Sequence, residues 1–258
     1  MGWMGGMRED IVRAARFIPA DAAVVCLTGA GVSAESGVPT FRDAQTGLWS
    51  EFDAEELATP QGFARDPGLV WRWYMWRLEQ LEAASPNLGH HALAELAGLC
   101  EGFLLVTQNV DSLHEQAGSV DVLHLHGSLF SFRCASCAAP HNLTAEERGA
   151  DLPPSCGLCS ELVRPGVVWF GESLPWDAVE EAATAAHRCS VMLVVGTSGL
   201  VYPASQLPLI ARQAGATVID VNPEPGPISS MADVFLQGKS GEVLPALVRA
   251  VADRRAKV

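Results

Sequence analysis

The sequence predicts an α/β protein built on a mostly parallel, doubly wound sheet, with a smaller module inserted into it. Three observations predict this class. Short apolar runs alternate with helix-length segments, the rhythm of repeated strand–helix–strand units. The first run leads directly into a glycine-rich loop, "TGAGVSAESGVPTFR" (28–42). Two stretches, 35–83 and 131–161, break the rhythm, and the second is rich in cysteine.

The expected strands are "AAVVCLT" (22–28), "FLLVTQN" (103–109), "DVLHLHG" (121–127), "VVWFG" (167–171), "VMLVVG" (191–196), "TVIDVN" (217–222) and "DVFLQG" (233–238). Each is a compact apolar run closed by Gly, Asn or Thr, as befits strands buried on both faces. Helices are expected near 88–101, 175–188, 203–214 and 241–255. Residues 1–34, 84–130 and 162–258 then form the larger domain, and 35–83 with 131–161 form the smaller one. Within the smaller one, Asp66 and Pro67 suit an N-cap and first helical residue for a helix carrying "WRWYMWRL" (71–78). At about 100° per residue, Val70, Tyr74, Arg77 and Leu81 share one stripe, and Arg72 lies opposite. Arg77 is either a long stem lying over the core or a charge kept to meet another charge.

Composition narrows the function. With 48% hydrophobic residues among 258, the chain is a folded globular protein. A formal net charge of −13 argues against nonspecific nucleic-acid binding and against anionic membrane, and suits basic peptide partners. "MGWMGGMRED" lacks the apolar run of a signal peptide, and Gly6 stands where myristoylation needs Ser or Thr. The apolar window 191–211 is interrupted by Gly, Ser, Thr and Pro, so it reads as strand, loop and helix. A cytoplasmic monomer without membrane attachment is the expectation.

Four of the seven cysteines form "CASC" (134–137) and "CGLC" (156–159), separated by eighteen residues. This is the spacing of a four-thiolate zinc site, with Cys134, Cys137, Cys156 and Cys159 as ligands. Four thiolates leave no open coordination position, so the zinc is expected to be structural. Redox motifs or disulfides are the alternative, disfavoured in a cytoplasmic setting. Cys26, Cys100 and Cys189 sit among apolar residues and are expected in the core.

In the loop after the first strand, Gly29, Gly31 and Ala34 fit G-x-G-x-x-G/A, which lets backbone approach a pyrophosphate. A tight structural turn would give the same letters. Gly37 and Pro39 prevent the long helix that usually follows, and the second strand ends in Gln108 and Asn109, without the acidic residue of ordinary dehydrogenases.

Three further stretches sharpen the reading: "TQNVDSLH" (107–114), "HLHGSL" (124–129) and "RPGVVWFGE" (164–172). With the loop and the four cysteines, in this order, the chain resembles the sirtuin family of NAD-dependent protein lysine deacylases over roughly residues 20–245. The resemblance implies a Rossmann-type domain, a zinc-bearing small domain, and NAD consumed as co-substrate in the cleft between them. It implies attack of the acyl-lysine carbonyl oxygen on C1′ of the nicotinamide ribose, departure of nicotinamide, and base-assisted capture of the acyl carbon by a ribose hydroxyl. The products are free lysine and O-acyl-ADP-ribose. By resemblance the base is His126, a residue type suited to neutral pH; His124 better suits a satisfied core histidine.

Further assignments follow from the resemblance. Asn109 and Asp111 attend the nicotinamide carboxamide and ribose, although two such residues after a strand also make turns. Gln108 contacts ribose, Phe41 shields the sugar carbon, and Arg42 orders the loop. Ala30 and Ser33 of the loop, "GTS" (Gly196, Thr197, Ser198), Asn222 and Glu224 of "VNPE", and Ser240 complete the expected NAD contacts. Val168, Trp169, Phe170, Gly171 and Glu172 are expected to add an edge to an extended substrate peptide. Tyr-x-x-Arg, here Tyr74 and Arg77, together with Thr40 of "PTFR", resembles the desuccinylase and demalonylase branch, so these two side chains are expected to hold an acidic acyl group. Asp43 in the longer loop "FRDAQTGLW" is a rival partner for Arg77. An ADP-ribosyltransferase on the same scaffold and an NAD-responsive, non-catalytic module are the alternatives.

Overall fold

A computed structural model of the chain describes residues 2–38 and 52–256. Its strands are β1 (Ala23–Thr28), β2 (Gly102–Thr107), β3 (Val122–His124), β4 (Gly127–Cys134), β5 (Pro140–His141), β6 (Val163–Val167), β7 (Val191–Val195), β8 (Thr217–Asn222) and β9 (Val234–Gln237). Its helices are α1 (Gly2–Arg16), α2 (Ala54–Leu57), α3 (Pro60–Arg65), α4 (Pro67–Ala83), α5 (Leu88–Gly98), α6 (Leu113–Gln116), α7 (Ala145–Arg148), α8 (Trp176–Arg188), α9 (Leu207–Gln213) and α10 (Ser240–Arg255).

Six strands form one parallel sheet in the order β3-β2-β1-β7-β8-β9. The chain winds outward from β1 to β3, returns beside β1 at β7, and winds outward the other way. That reversal is where open α/β sheets leave a crevice at the carboxyl ends of their strands. The two-residue period of the strands divides the core. Val24, Cys26, Leu193, Val195, Ile219 and Val221 face α1, α5 and α10 through Ala15, Leu93 and Leu247. Val25, Leu27, Met192, Val194 and Val218 face α8 and α9 through Ala186 and Leu207. The doubly wound reading thus holds.

The second sheet is small, ordered β5-β4-β6 and antiparallel. Its core is separate: Trp71, Trp73, Tyr74 and Leu78 of α4 pack with Leu129, Phe132, Val163, Val167 and Trp169. Helix α4 begins as expected, with the Asp66 carboxylate accepting from Leu69 N and Pro67 in the first turn. It buries more than one stripe, because Trp71, Trp73 and Met75 are covered as well as Val70 and Tyr74.

Three elements differ from expectation. The run 167–171 is not a strand of the large sheet; β6 ends at Val167 and pairs with β4, and 168–171 leave it as a loop. Pro165 lies inside β6, which argues against a strand in sequence because proline cannot donate to a ladder. The run 121–127 stops at His124, and β4 starts a separate strand at Gly127. Helix α1 was not foreseen in the N-terminal segment; Ile11, Ala14 and Ala15 seat it on the large core.

After β1 the chain makes two short 3₁₀ turns, Ala30–Val32 and Ala34–Ser36, and Gly37 at φ +80 closes them, so they do not continue as a helix into Val38. The first turn packs on the loop after β7: Gly31 N–H donates to Gly196 O at 2.8 Å. Gly196 has φ +60, and a Cβ there would lie 2.5 Å from Val32 N. Left-handed backbone alone costs a non-glycine residue about 1–2 kcal/mol, and the backbone clash adds to it. Gly196→Ala is therefore expected to destabilise by more than about 2 kcal/mol, lowering the thermal midpoint by about 4–8 °C. A midpoint within about 1 °C of wild type in a calorimetric scan would contradict this account of the contact.

Candidate functional site

A cleft of about 700 Å³ opens at the reversal point, walled on one side by the large sheet's loops and on the other by Tyr74, Arg77 and the segment after β6. Gly29, Ala30, Gly31, Ser33, Gln108, Asn109, Asp111, His126, Gly196, Thr197, Ser198, Asn222 and Glu224 all line it. So do Tyr74, Arg77, Val168, Trp169, Phe170, Gly171 and Glu172. One nominated residue is not among the lining. Ser240 is buried, with its hydroxyl on Glu35 Oε2 at 3.2 Å. Glu35 also accepts from Gly241 N at 2.7 Å, so Ser240 belongs to the anchoring of α10's first turn. Thr40, Phe41, Arg42 and Asp43 lie outside the described residues.

Sequence neighbours on the β2 side divide their tasks. Gln108 Nε2 donates to Thr197 Oγ1 at 2.9 Å, joining the loops after β2 and β7. Asn109 Nδ2 donates to Gly29 O and Ser33 Oγ, both at 3.2 Å. Ser33 Oγ donates to Asp111 Oδ2 at 3.0 Å, and Asp111 Oδ1 accepts from Leu113 N at 3.1 Å. Burial raises the Asp111 carboxyl above its ordinary value, against the pull of those two donors.

Beneath this wall lies a buried set that sequence reasoning missed. His90 Nδ1 accepts from Asn87 N at 3.2 Å, which leaves its Nε2–H to point at Ser33 Oγ, 3.4 Å away. His114 Nε2 meets Thr28 Oγ1 at 3.0 Å, and Thr28 bonds Thr107 at 2.8 Å. Burial pushes the His90 and His114 imidazoles down to about 4 and about 3, so both are neutral. Only the spacing of the capping box at Asn87–His90 could have signalled His90.

The two candidate histidines differ in one nitrogen. His126 Nδ1–H donates to Gln108 O at 2.9 Å. Its Nε2 then carries the lone pair, and the side chain lines the cleft. Burial lowers its pKa below 6.5, against the opposing bond to Gln108. His124 Nδ1 meets Asn109 O at 3.0 Å, and its Nε2 meets Glu115 Oε1 at 2.6 Å. Burial lowers the His124 pKa, but these bonds outweigh it and the net shift is upward. Both of its nitrogens are engaged away from the cleft.

At the small-module end, Tyr74 OH accepts the Trp169 indole N–H at 2.9 Å, which leaves the tyrosine's own proton to donate. The Arg77 guanidinium lies 4.9 Å from the centre of the Trp73 ring. Glu172 holds the loop before it: it accepts from Arg164 at 2.5 and 3.0 Å and from Trp169 N at 2.8 Å.

The four thiolate candidates converge away from the cleft. Sγ atoms of Cys134, Cys137, Cys156 and Cys159 all lie within 4.8 Å of one another, with separations of 3.4 Å (134–159), 3.5 Å (137–159) and 3.7 Å (137–156). A tetrahedral ion with ~2.3 Å zinc–sulfur bonds needs edges of ~3.8 Å, so the cluster fits one zinc ion. The backbone N–H groups of Cys137 and Ser136 point at Cys134 Sγ and bring its thiol down to about 6, favouring the thiolate a metal requires. All seven cysteines are unpaired. No helix among the described residues is long and apolar enough to cross a membrane.

The fold and site define a doubly wound α/β protein with a glycine-lined cleft at its switch point and a tetrathiolate zinc module beside it. The Sir2 family profile matches residues 29–203. The NAD-dependent protein deacylase 2 of Pyrobaculum aerophilum is 53% identical over 89% of this chain and 91% of its own. The NAD-dependent protein deacylase 1 of Pseudomonas aeruginosa is 53% identical over 88% of this chain and 93% of its own. Among solved structures, a Sir2 homolog–NAD complex superposes with a TM-score of 0.85 at 47% identity, covering 95% of this chain and 94% of that one. Sir2Af2 bound to a myristoylated histone peptide gives 0.78 at 37% identity, covering 97% and 99%. This chain belongs to the Sir2 family.

Because the zinc site is built from two distant turns, its metal should hold the small module together. Cys156→Ala, or a strong chelator, is expected to lower the thermal midpoint and to lose one zinc per chain. A zinc-free preparation, verified by elemental analysis, that melts like wild type would refute that role.

Proposed function

We propose that this protein is an NAD-dependent protein lysine deacylase whose acyl pocket favours succinyl- or malonyl-lysine and also accepts acetyl-lysine. The observation that carries the deacylase reading is His126. Its Nδ1–H is tied to Gln108 O, which presents a neutral Nε2 to the cleft beside the Ser33–Asn109–Asp111 wall. An imidazole held in that tautomer can take a hydroxyl proton at Nε2.

NAD would lie with its phosphates toward Gly29, Ala30 and Gly31 and its sugars toward Gln108, Ser198, Asn222 and Glu224. When bound it supplies an electrophilic sugar carbon, with nicotinamide as leaving group, and accepts the acyl group. Asn109 and Asp111 hold the nicotinamide end; Phe41 and Arg42 lie outside the described residues, and their roles rest on the sequence resemblance alone. Val168 to Glu172 offer backbone to the substrate peptide, held in shape by the Arg164–Glu172 pair. Cys134, Cys137, Cys156 and Cys159 hold the zinc. We assign 1–34, 84–130 and 162–258 to the larger domain and 35–83 and 131–161 to the smaller one, whose aromatic core around α4 also draws Leu129, Val163, Val167 and Trp169 from the larger domain's stretches. A cytoplasmic monomer completes the reading, on the strength of the acidic composition.

The acyl preference rests on Tyr74 and Arg77. Both line the same cleft, one offering an O–H donor and the other a cation. Burial lowers the Arg77 pKa, with Tyr74 acting in the opposite sense, and a guanidinium stays charged nonetheless. A buried cation beside a phenol suits a carboxylate at the end of the acyl chain.

Mass spectrometry of peptides bearing acetyl-, malonyl-, succinyl- and glutaryl-lysine, with NAD, tests the reading. Acyl loss with nicotinamide release is expected. A mass gain of ADP-ribose on protein would mark a transferase instead. His126→Ala should nearly abolish turnover while NAD still binds, and His124→Ala should cost far less; equal losses in two folded variants would sink the choice of base. Because the folded pKa of His126 is lowered, the wild-type rate should hold at pH 7 and fall only below pH 6.5. Two charge-assisted bonds at about 1.5–3 kcal/mol each are at stake at Arg77. Arg77→Met should therefore slow desuccinylation about a hundredfold or more while deacetylation is maintained. Equal loss of both activities would make the arginine structural.

A further inference from the structure

We propose that Asp220 is the ribose-hydroxyl acceptor that makes this cleft select NAD over NADP, an assignment that rests on the NAD reading above. In an ordinary dinucleotide fold an acidic residue at the end of the second strand takes the ribose 2′-OH. Here β2 ends at Thr107 and runs into Gln108 and Asn109, so that acceptor is missing from its usual place. A carboxylate appears instead on β8, the second strand on the other side of the reversal.

Asp220 is 1% exposed yet lines the cleft. It shares the strand face of Asn222, two residues on. Asn222 Nδ2 donates to Asp220 Oδ1 at 3.0 Å and to Thr197 O at 3.1 Å. Both amide hydrogens are spent, so Asn222 offers its Oδ1 to the cleft as an acceptor. The Asp220 carboxylate takes that one side-chain bond and has no cationic partner among the described residues. A carboxylate this deep normally collects several donors. Burial accordingly raises its pKa to about 6, which still leaves it ionised at neutral pH. Among the described residues the basic side chains on the cleft wall are Arg77 and His126, which serve the acyl pocket and the base, while Glu224 lines the wall two residues beyond Asn222. The missing donor is supplied by a sugar hydroxyl. A phosphate on that hydroxyl would bring close to two further negative charges against Asp220 and Glu224.

Isothermal calorimetry with NAD and NADP on the whole protein tests the assignment. Wild type should bind NADP at least ~10-fold more weakly than NAD, the worth of one hydrogen bond to a charged group. Asp220→Asn keeps an oxygen for Asn222 and replaces the second oxygen with an NH₂. It should weaken NAD ~10-fold or more, leave NADP equal or tighter, and bring the two within ~3-fold. An unchanged NAD/NADP ratio in a variant that melts like wild type would overturn the proposal while leaving the deacylase reading intact. If Asp220→Asn does not fold, wild type with 2′-deoxy-NAD decides: a ~10-fold loss supports the role, and equal binding removes it. Wild type that binds no NAD would overturn the proposed function and this assignment together.

Discussion

The contact of Gly31 with Gly196 governs the molecule. It joins the loop after β1 to the loop after β7 at the one place where the strand order reverses, through Gly31 N–H on Gly196 O. Neither position has room for a Cβ: one on Gly31 would lie 2.7 Å from Gly196 O. Because the two backbones touch, the cleft has a floor of peptide groups where side chains would otherwise intrude. The same approach brings Ser33 down beside Asn109 and Asp111, and Thr197 beside Gln108. The loop is pinned from below as well, since Asn87 Nδ2 donates to Val32 O at 2.8 Å and to Ser36 Oγ at 3.0 Å.

Polarity in this floor is organised by donor count. Ser33 Oγ accepts from Asn109 and faces His90, and gives its own proton to Asp111. Burial keeps His90 and His114 neutral, so each imidazole brings one N–H to this floor and no charge. The same logic separates His124 from His126. Consecutive carbonyls, of Gln108 and Asn109, each accept one imidazole Nδ1–H. What differs is the far nitrogen: Glu115 takes that of His124, while His126 keeps its own for the cleft. One carboxylate on α6 thus decides which histidine is chemically available.

Much of this was legible in sequence, for physical reasons that can be named. The strands β1, β2, β7, β8 and β9 are apolar runs buried on both faces, and such runs announce themselves. Four cysteines in two C-x-x-C turns converge because each turn can present two sulfurs to one point. Helix α4 was legible at its start, since Asp66 caps and Pro67 fits the first turn. What escaped was set by tertiary context. Pro165 disguised β6, which tolerates it beside an irregularity in its pairing with β4. Ser240 carries a hydroxyl that could serve a ligand, but Glu35, 205 positions away in sequence, takes it. His90 on α5 and Asp220 on β8 drew no reading from the sequence, because only the fold gives them their neighbours.

The small-module end of the cleft shows how the two sheets share one site. Arg164 sits 4% exposed on β6, with its guanidinium 3.2 Å from the centre of the Trp169 ring and its N–H groups on Glu172 and Val167 O. Burial alone would raise the Glu172 carboxyl, yet Arg164 and the Trp169 amide outweigh it and hold Glu172 ionised. This clamp fixes the turn of 168–172 at both ends. Fixing the turn fixes the Trp169 ring, and the ring's N–H then commits Tyr74 OH to accepting on one side. A hydroxyl with its acceptor side occupied has one use left, to donate. The proton that Tyr74 of α4 has to give is therefore set by the ion pair of Arg164 with Glu172, so the Tyr74 wall of the cleft and the turn of 168–172 are parts of one unit.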